Sequence, residues 1–546
     1  MKFTDEQEYA LDLALQGESF KQIARAGCGK TFICRTMGRM FKYTSHPDTL
    51  YITFTNAGAA EARRNFSDNV VPMTFNSIAF NLVDDRIKAK TQMPKEPSKF
   101  LAQRYGLKPS SFVNKSGSLI ALSSTFMAML VQKSIQNFCQ SADLEIQKKH
   151  IEIPLGCDPD RADHLRESLF PHVKRYWSEQ VDPNNGFGII HGVYVKIWHQ
   201  SGPDLGVPLI FDEFQDSDDL MIDVISKQSN QVILVGDDFQ SIYGWRGAIN
   251  GLKKIDLPEV YLTQSFRFGQ EVGDLATSTL NLLKNKIPVR GLSSKATKVS
   301  YDGEGPTPDV YLCRTNAGTI QVLTETLDRG ERTGIDSKTL EQFSEFSHAA
   351  KFLMENRKPN HPVLGMFNTW KDFREFTEGP YGSDYRPYVT LIDSYGIEQL
   401  DKVVTKAPSV DKAQNLATTF HRFKGREAKN VQICEFVNHN AKPEDDFIYL
   451  TEEETMLLYV GLTRATERLD VSVIRDELAM SLRSVRPTII DELLSGQGRI
   501  FDEASQNQSS LYGGPQIERS PTLKKHLAEM DRIEKSARLS KTAPQI

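Results

Sequence analysis

Short apolar runs bounded by glycine and polar clusters alternate along the chain with stretches in which apolar residues recur every three or four positions, and this alternation predicts an α/β fold. SFKQIA reads as a short strand leading into ARAGCGKT, after which Ile33, Met37, Met40 and Phe41 recur at helical spacing, so that loop opens a helix. VPLIF at 207–211 and QVILV at 231–235 read as buried strands whose ends carry acids. VYLCR, NVQICEF and LDVSVI repeat the strand pattern later in the chain. KSIQNFCQSADLEIQKKH lies in a region that reads as helical, and MFNTWKDFREF reads as part of a small helical packing unit. Beyond about residue 500 the chain becomes rich in Gln, Ser, Pro and Lys. It ends in a stretch read as a short helix flanked by solvated segments, with a docked helix as the alternative.

The 546 residues exceed a typical single domain of roughly 100 to 200 residues, so more than one core is expected. Apolar runs stay short of the ~20 residues a membrane-spanning helix needs. MKFTDEQEYALDLALQG also lacks the basic start and apolar middle of a signal peptide, which points to a cytoplasmic or nuclear protein with no membrane partner. Cys28, Cys34, Cys139, Cys157, Cys313 and Cys434 form no CxxC pair, which argues against a disulfide framework and against a zinc or iron–sulfur centre. The net charge of −5 gives no global attraction to nucleic acid, so any such binding must come from a local groove.

ARAGCGKT at 24–31 fits a phosphate-binding loop if Ala24 stands where glycine is usual. Gly27 and Gly29 let backbone amides, with those of Ala26 and Cys28, approach phosphate oxygens, and the helix N-terminus favours negative charge. Lys30 is placed to reach the β and γ oxygens and Thr31 to hold Mg²⁺, while Cys28 reads as a filler, not a nucleophile. Asp212 and Glu213 then supply two acids at a strand end. Asp212 suits Mg²⁺ and Glu213 suits the orientation and deprotonation of an attacking water. The bland alternatives, a glycine turn and a solvated acid pair, lose weight because the two signals occur together.

The string QVILVGDDFQSIYGWRGAIN at 231–250 is more specific. It resembles the third helicase motif of the UvrD/Rep/PcrA family of superfamily 1, and further motifs fall into order around it. TFTN at 53–56 resembles motif Ia, TFNS at 74–77 motif Ib, LTQSFRF at 262–268 motif IV, TTFHRFKGREAKNV at 418–431 motif V, and EEETMLLYVGLTRATERL at 452–469 motif VI. The wording of LTQSFRFG, of RTN at 314–316 and of HGVYVKIW is most similar to the F-box DNA helicases, although no F-box is visible. The resemblance covers roughly residues 3–475.

The family resemblance implies two RecA-like P-loop NTPase domains with mostly helical insertions, ATP and Mg²⁺ in the cleft between them, and single-stranded DNA across their tops. By matching position, Gln7 would read adenine, Phe266 would stack on it and Glu427 would bind the ribose. Gln240 would sense the γ-phosphate, and Arg267 and Arg464 would reach it from the second domain. A guanidinium suits that task because it forks onto phosphate oxygens and stabilises transition-state charge.

For DNA, Tyr243, Trp245 and Arg246 offer aromatic and cationic faces that accept any base. Phe54 and His421 match DNA-contacting positions, Asn76 stands at another where a histidine is common, and Thr74 and Thr419 could donate to phosphates, although an aromatic after a strand, as at Phe54, is as often core. The chain departs from the family pattern at Phe32, Asn76, Ser265, Thr455 and Met456, none of which is an acid, lysine or arginine of the nucleotide site.

Motif spacing divides the chain into a first RecA-like domain (1–80 and 200–262) with a helical insertion (81–199), a second (263–333 and 409–490) with a short insertion (334–408), and a tail (491–546). The resulting expectation is an ATP-dependent DNA helicase or translocase moving 3′ to 5′ on single-stranded DNA and at single-to-double-strand junctions, in repair, recombination or replication. The alternative is an ATP-gated DNA-binding subunit that regulates a nuclease or recombination complex, with a protein partner held through the insertions or tail.

Overall fold

The computed structural model describes residues 3–44, 48–113, 119–154, 156–361, 363–378, 382–436, 448–486, 520–526, 528 and 532. Strand β1 (Phe20–Ala24) is buried along its whole length and feeds the helix Lys30–Phe41 through a loop whose Gly29 is left-handed (φ 78°). Strands β2 (Thr49–Thr53) and β3 (Val70–Thr74) follow, each ending in a helix. The segment up to residue 200 is mainly helical, but it also holds an antiparallel hairpin of β4 (Ser110–Val113) and β5 (Leu119–Leu122), which the sequence pattern did not predict. Strands β6 (Leu209–Phe211), β7 (Val232–Gly236) and β8 (Glu259–Leu262) complete a six-stranded parallel sheet in the order β3-β2-β6-β7-β1-β8.

A second six-stranded parallel sheet has the order β11-β12-β10-β13-β14-β9. Its strands are β9 (Lys298–Ser300), β10 (Val310–Cys313), β11 (Thr333–Gly334), β12 (Asn415–Thr419), β13 (Ala428–Ile433) and β14 (Ala465–Asp470). The chain is therefore α/β, with two RecA-like domains. Parallel strands need crossover connections, and the helices between them cover the sheets so that their near-continuous apolar runs are buried. VYLCR and NVQICEF overlap β10 and β13, whereas LDVSVI falls mostly past the strand it predicts, since β14 spans Ala465–Asp470 and takes in only Leu469 and Asp470 of that string.

The first insertion has a large core formed by Leu101, Met127, Val131, Phe138, Leu169 and Tyr176, continuous with Phe75, Phe211 and Phe214 of the first domain. The second, between Ser337 and Lys406, is helical as expected. Its core, with Phe343, Phe346, Leu364 and Phe373, takes in Ala317, Ile320 and Leu323 from the helix Asn316–Asp328 of the second domain. It is thus packed onto that domain by a shared core. Of the tail, residues 520–526 are described. Leu523 is buried among the residues of the helices Asp5–Leu15 and Lys30–Phe41, and the Ser520 hydroxyl donates to Asp12, so this short helix docks on the first domain. The remaining tail expectations fall outside the described residues.

Candidate functional site

The phosphate loop leaves the C-terminal end of β1, where open α/β sheets place their ligands. Gly27 and Gly29 are both left-handed, at φ 76° and 78°. Gln7 lies in the first turn of a helix capped by Thr4, and its Oε1 accepts from the Thr4 amide (3.1 Å) while Nε2 donates to the Cys28 carbonyl (3.4 Å). Phe266 is 40% exposed, and its amide donates to the Gly27 carbonyl (2.8 Å). A Cβ added at Gly29 would have Gln7 Nε2 at 3.6 Å, Phe32 Cβ at 3.8 Å and the Phe266 ring at 3.9 Å, so these three side chains converge on the loop. Phe32, where an arginine is common, stacks on Phe3 (centroids 5.6 Å apart) and has the Arg35 guanidinium 5.8 Å from its centroid.

Burial pushes the Cys28 thiol far above its ordinary range, which fits an inert filler. The Ala26 amide, grouped with the phosphate-facing amides in sequence, instead donates to the Tyr459 hydroxyl (3.0 Å).

Lys30 and Glu213 form an ion pair (3.2 Å) across the mouth of the loop, and Thr31 is exposed beside them. Glu213 is a non-glycine residue held at φ 59°, a strained conformation that concentrates at functional sites. Tyr51 donates to Asp212 Oδ2 (2.6 Å) and the Glu213 amide to Oδ1 (2.9 Å). Burial, then the neighbouring Glu213, pushes Asp212 up to about 6. Desolvation alone would raise Glu213, whose side chain is 29% exposed, but Lys30 and Lys424 outweigh that and hold it low. A buried Asp212 and a partly exposed Glu213 beside the exposed Thr31 are a donor set that fits a hard divalent cation. Among the described residues there is no cluster of three or more His, Cys, Asp or Glu side chains suited to a metal.

The second domain contributes the opposing wall. Arg464 is 1% exposed; its NH2 lies 3.4 Å from Gln240 Oε1 and its Nε donates to the Val460 carbonyl (2.7 Å). Burial, then the charge of Arg267, pulls Arg464 down to about 9, leaving it cationic at neutral pH. Arg267 pairs with Glu427 (2.6 Å) and donates to the Thr463 carbonyl (3.0 Å). Glu427, expected at the ribose, is therefore engaged with an arginine here. Sequence reading left Lys424 without a role. It bridges to Asp216 Oδ2 and to the Gln240 carbonyl, both at 2.6 Å, and burial pushes Asp216 up to about 6 despite that partner. The spacing DExxD was the available signal for Asp216.

The residues expected at DNA fall into two groups. In the first, the Tyr243 hydroxyl donates to the His421 carbonyl (3.0 Å), the Arg246 guanidinium lies 5.2 Å from the Tyr243 ring centroid and Lys424 4.8 Å from it. Burial, then Arg314, pulls His421 down to about 4, so its ring is neutral at physiological pH. Thr419 is buried at the start of the turn Phe420–Phe423. Trp245 lies in the 3-10 turn Gly244–Arg246, and its side chain is outside the described set.

In the second group, Phe54, Thr74 and Asn76 line a groove of about 490 Å³ at the ends of β2 and β3. Phe54 rests on Phe211 (centroids 5.8 Å apart), so it is both core and groove wall. The Thr74 hydroxyl accepts from the Ser77 amide (3.1 Å) and so caps its helix. His191 and Tyr194 form the far wall from the end of the first insertion, and their place was not anticipated even though HGVYVKIW contains both.

Comparison with known proteins fits this geometry. The UvrD/REP helicase N-terminal domain model matches residues 208–254, the stretch from β6 through the aromatic loop. F-box DNA helicase 1 of Gallus gallus is 28% identical over 524 residues, covering 86% of this chain and 49% of that protein. F-box DNA helicase protein 1 of Schizosaccharomyces pombe is 25% identical over 511 residues, covering 85% and 57%. ATP-dependent DNA helicase PcrA of Leuconostoc citreum is 35% identical over 86 residues, covering 14% of this chain and 12% of that one. The chain thus spans about half the length of the two F-box DNA helicases it matches. The matched domain and these relatives make the chain similar to UvrD-like DNA helicases over most of its length.

Proposed function

We propose that the chain is an ATP-driven motor that translocates 3′ to 5′ on single-stranded DNA and separates duplex at single-to-double-strand junctions. The observation that carries this reading is the interdomain cleft. Lys30 and the Asp212–Glu213 pair stand on its first-domain side, and Arg267 and Arg464 come from the second. Phosphates arriving at the loop would compete with Glu213 for Lys30. They would also meet the two guanidinium groups, whose stabilisation of transition-state charge is the largest effect expected from the second domain. Gln7, Phe32 and Phe266 are spaced to enclose an adenine. Thr31 and Asp212 would hold Mg²⁺, which supplies charge neutralisation on the phosphate oxygens. Glu213, kept ionised by Lys30 and Lys424, is the base for the attacking water.

The DNA part of the proposal rests on Tyr243, Arg246 and His421 in one group and on the aromatic and amide groove around Phe54 and Asn76 in the other. The test is DNA-stimulated ATP hydrolysis together with strand displacement on 3′- and 5′-tailed duplexes. Lys30→Ala and Glu213→Gln are expected to abolish turnover, and only the 3′-tailed substrate should be unwound. Turnover near the parental rate in either variant refutes the site. Strong turnover without displacement on any tail would favour the ATP-gated regulatory subunit.

A further inference from the structure

Behind the nucleotide residues lies a buried junction centred on Asp237, the residue after β7, which has no exposed surface. Its Oδ1 accepts from the Arg25 guanidinium (3.2 Å) and the Phe239 amide (3.3 Å). Its Oδ2 accepts from Gln240 Nε2 (2.8 Å) and from the Tyr459 hydroxyl (2.7 Å). Tyr459 comes from the helix Glu452–Leu462 of the second domain and is itself fully buried. The same hydroxyl accepts from the Ala26 amide of the phosphate loop (3.0 Å). Arg25 extends the network to Asp238 and to Asn285 Oδ1 (3.2 Å).

We propose that Tyr459 is a positioning residue that transmits displacement of the second domain to the phosphate loop and to Gln240 at the same time. The proposal rests on the ATPase reading of the cleft. A phenol has one proton to donate, and here it goes to Asp237, while the oxygen receives the loop amide, so the group is fixed in both directions. Burial raises the Tyr459 phenol well above its ordinary range, which keeps it a donor at every working pH. Five residues on, Arg464 meets the Oε1 end of the Gln240 amide, while Asp237 holds the Nε2 end. One short stretch of the second domain therefore meets the Oε1 end of the sensor side chain directly and its Nε2 end through Asp237, and a shift of about 1 Å would stretch the bonds from Tyr459 and Arg464 beyond the range in which they hold.

Tyr459→Phe removes only the hydroxyl and keeps the ring in its core. Two measurements on the full chain decide the matter. In the nucleotide-free protein, hydrogen exchange of the peptide containing Ala26 is expected to accelerate about tenfold, since a buried amide loses its acceptor. In ATP hydrolysis with single-stranded DNA, kcat should fall at least about fivefold while KM for ATP changes less than about twofold, the split expected when positioning and not ground-state binding is lost. Unchanged exchange, or kcat within twofold of the parent, overturns the proposal. Lys30→Ala is run alongside. If it hydrolyses ATP normally, the ATPase reading fails on its own, and the exchange result still decides whether Tyr459 holds the loop.

Discussion

One added methyl at Gly27 tests whether turnover depends on the close approach of the two domains at the phosphate loop. Gly27 sits at φ 76°, and a Cβ there would lie 2.4 Å from Ser265 Oγ and 2.7 Å from Arg267 Cβ. Comfortable contact between such atoms begins near ~3.5 Å, so the fourth motif must retreat by about 1 Å. The Ser265 hydroxyl can rotate aside, but Arg267 Cβ is fixed to the backbone. The retreat breaks the hydrogen bond from the Phe266 amide to the Gly27 carbonyl, a net loss of about 1 kcal/mol. The left-handed conformation costs alanine a further ~1–2 kcal/mol.

The hydrogen-bond loss, about 1 kcal/mol, would cut DNA-stimulated kcat/KM roughly 5-fold if the approach is needed in the transition state, while the backbone strain falls on stability. Gly17→Ala is the control for strain alone, because Gly17 has nearly the same φ (80°) and nothing within 4 Å of an added Cβ. It should lose stability like Gly27→Ala but no turnover. Hydrolysis by Gly27→Ala within threefold of the parent, with melting temperatures matched, would refute the argument. So would full rescue by a second change, Ser265→Ala, which leaves the Arg267 wall in place.

Four further outcomes are expected. Asp212 and Asp216 are both held up to about 6, so they take up protons as pH falls through that value. The kcat/KM for ATP should accordingly decline below about pH 6 as a joint acidic limb, and a flat profile from pH 5 to 8 would contradict it. Arg464→Ala should slow turnover by roughly 10³-fold while nucleotide binding, read by a fluorescent analogue, persists. Trp245→Ala should blunt stimulation by single-stranded DNA by up to the ~1–3 kcal/mol of one stacking platform; equal stimulation across a DNA titration counts against it. Replacing residues 340–405 with a flexible linker should lower the melting temperature, because Ile320 and Leu323, at 0% exposure, lose their covering core at about 1.5–3 kcal/mol each. An unchanged melting curve would show the insertion to be dispensable for the second domain.

Much of the candidate nucleotide site was legible because its parts are local. A strand, a glycine loop and a helix start are contiguous in Phe20–Phe41, and Asp212 and Glu213 follow directly on their strand. Position relative to a strand end then fixes which way such side chains point. Illegible were the pairings between residues 160 to 433 positions apart: Ala26 with Tyr459, Asp216 with Lys424, Arg267 with Glu427. Each residue has several chemically equivalent partners in the sequence, and only tertiary packing selects one. The β4–β5 hairpin was missed for a different reason, since its strands have four residues each, below the length at which period-two alternation stands out from a helical background. Leu523 was read with a polar tail because a single apolar contact leaves no periodic trace.

The loop after β7 shows why a polar junction suits a cleft that must open. Asp237 and Gln240 are held by hydrogen bonds of 2.7–3.4 Å, each with one charged partner and worth about 1.5–3 kcal/mol net, and each replaceable by water when the cleft opens. Phe239 and Ile242, from the same loop, are buried in the core of the second domain with Phe420, Phe423 and Val460, and Tyr243 packs against that core. A loop that begins as the end of a first-domain strand is therefore gripped by the apolar interior of the other domain, and it ends at the aromatic group expected to meet DNA. Separating the domains must either extract these apolar side chains, at roughly 1.5–3 kcal/mol apiece, or carry the loop along. Carrying it along is the cheaper course, because β7 is anchored by backbone pairing on both sides and Gly236 lies at the strand's end. Movement of the second domain is then delivered to Tyr243 through one covalent segment.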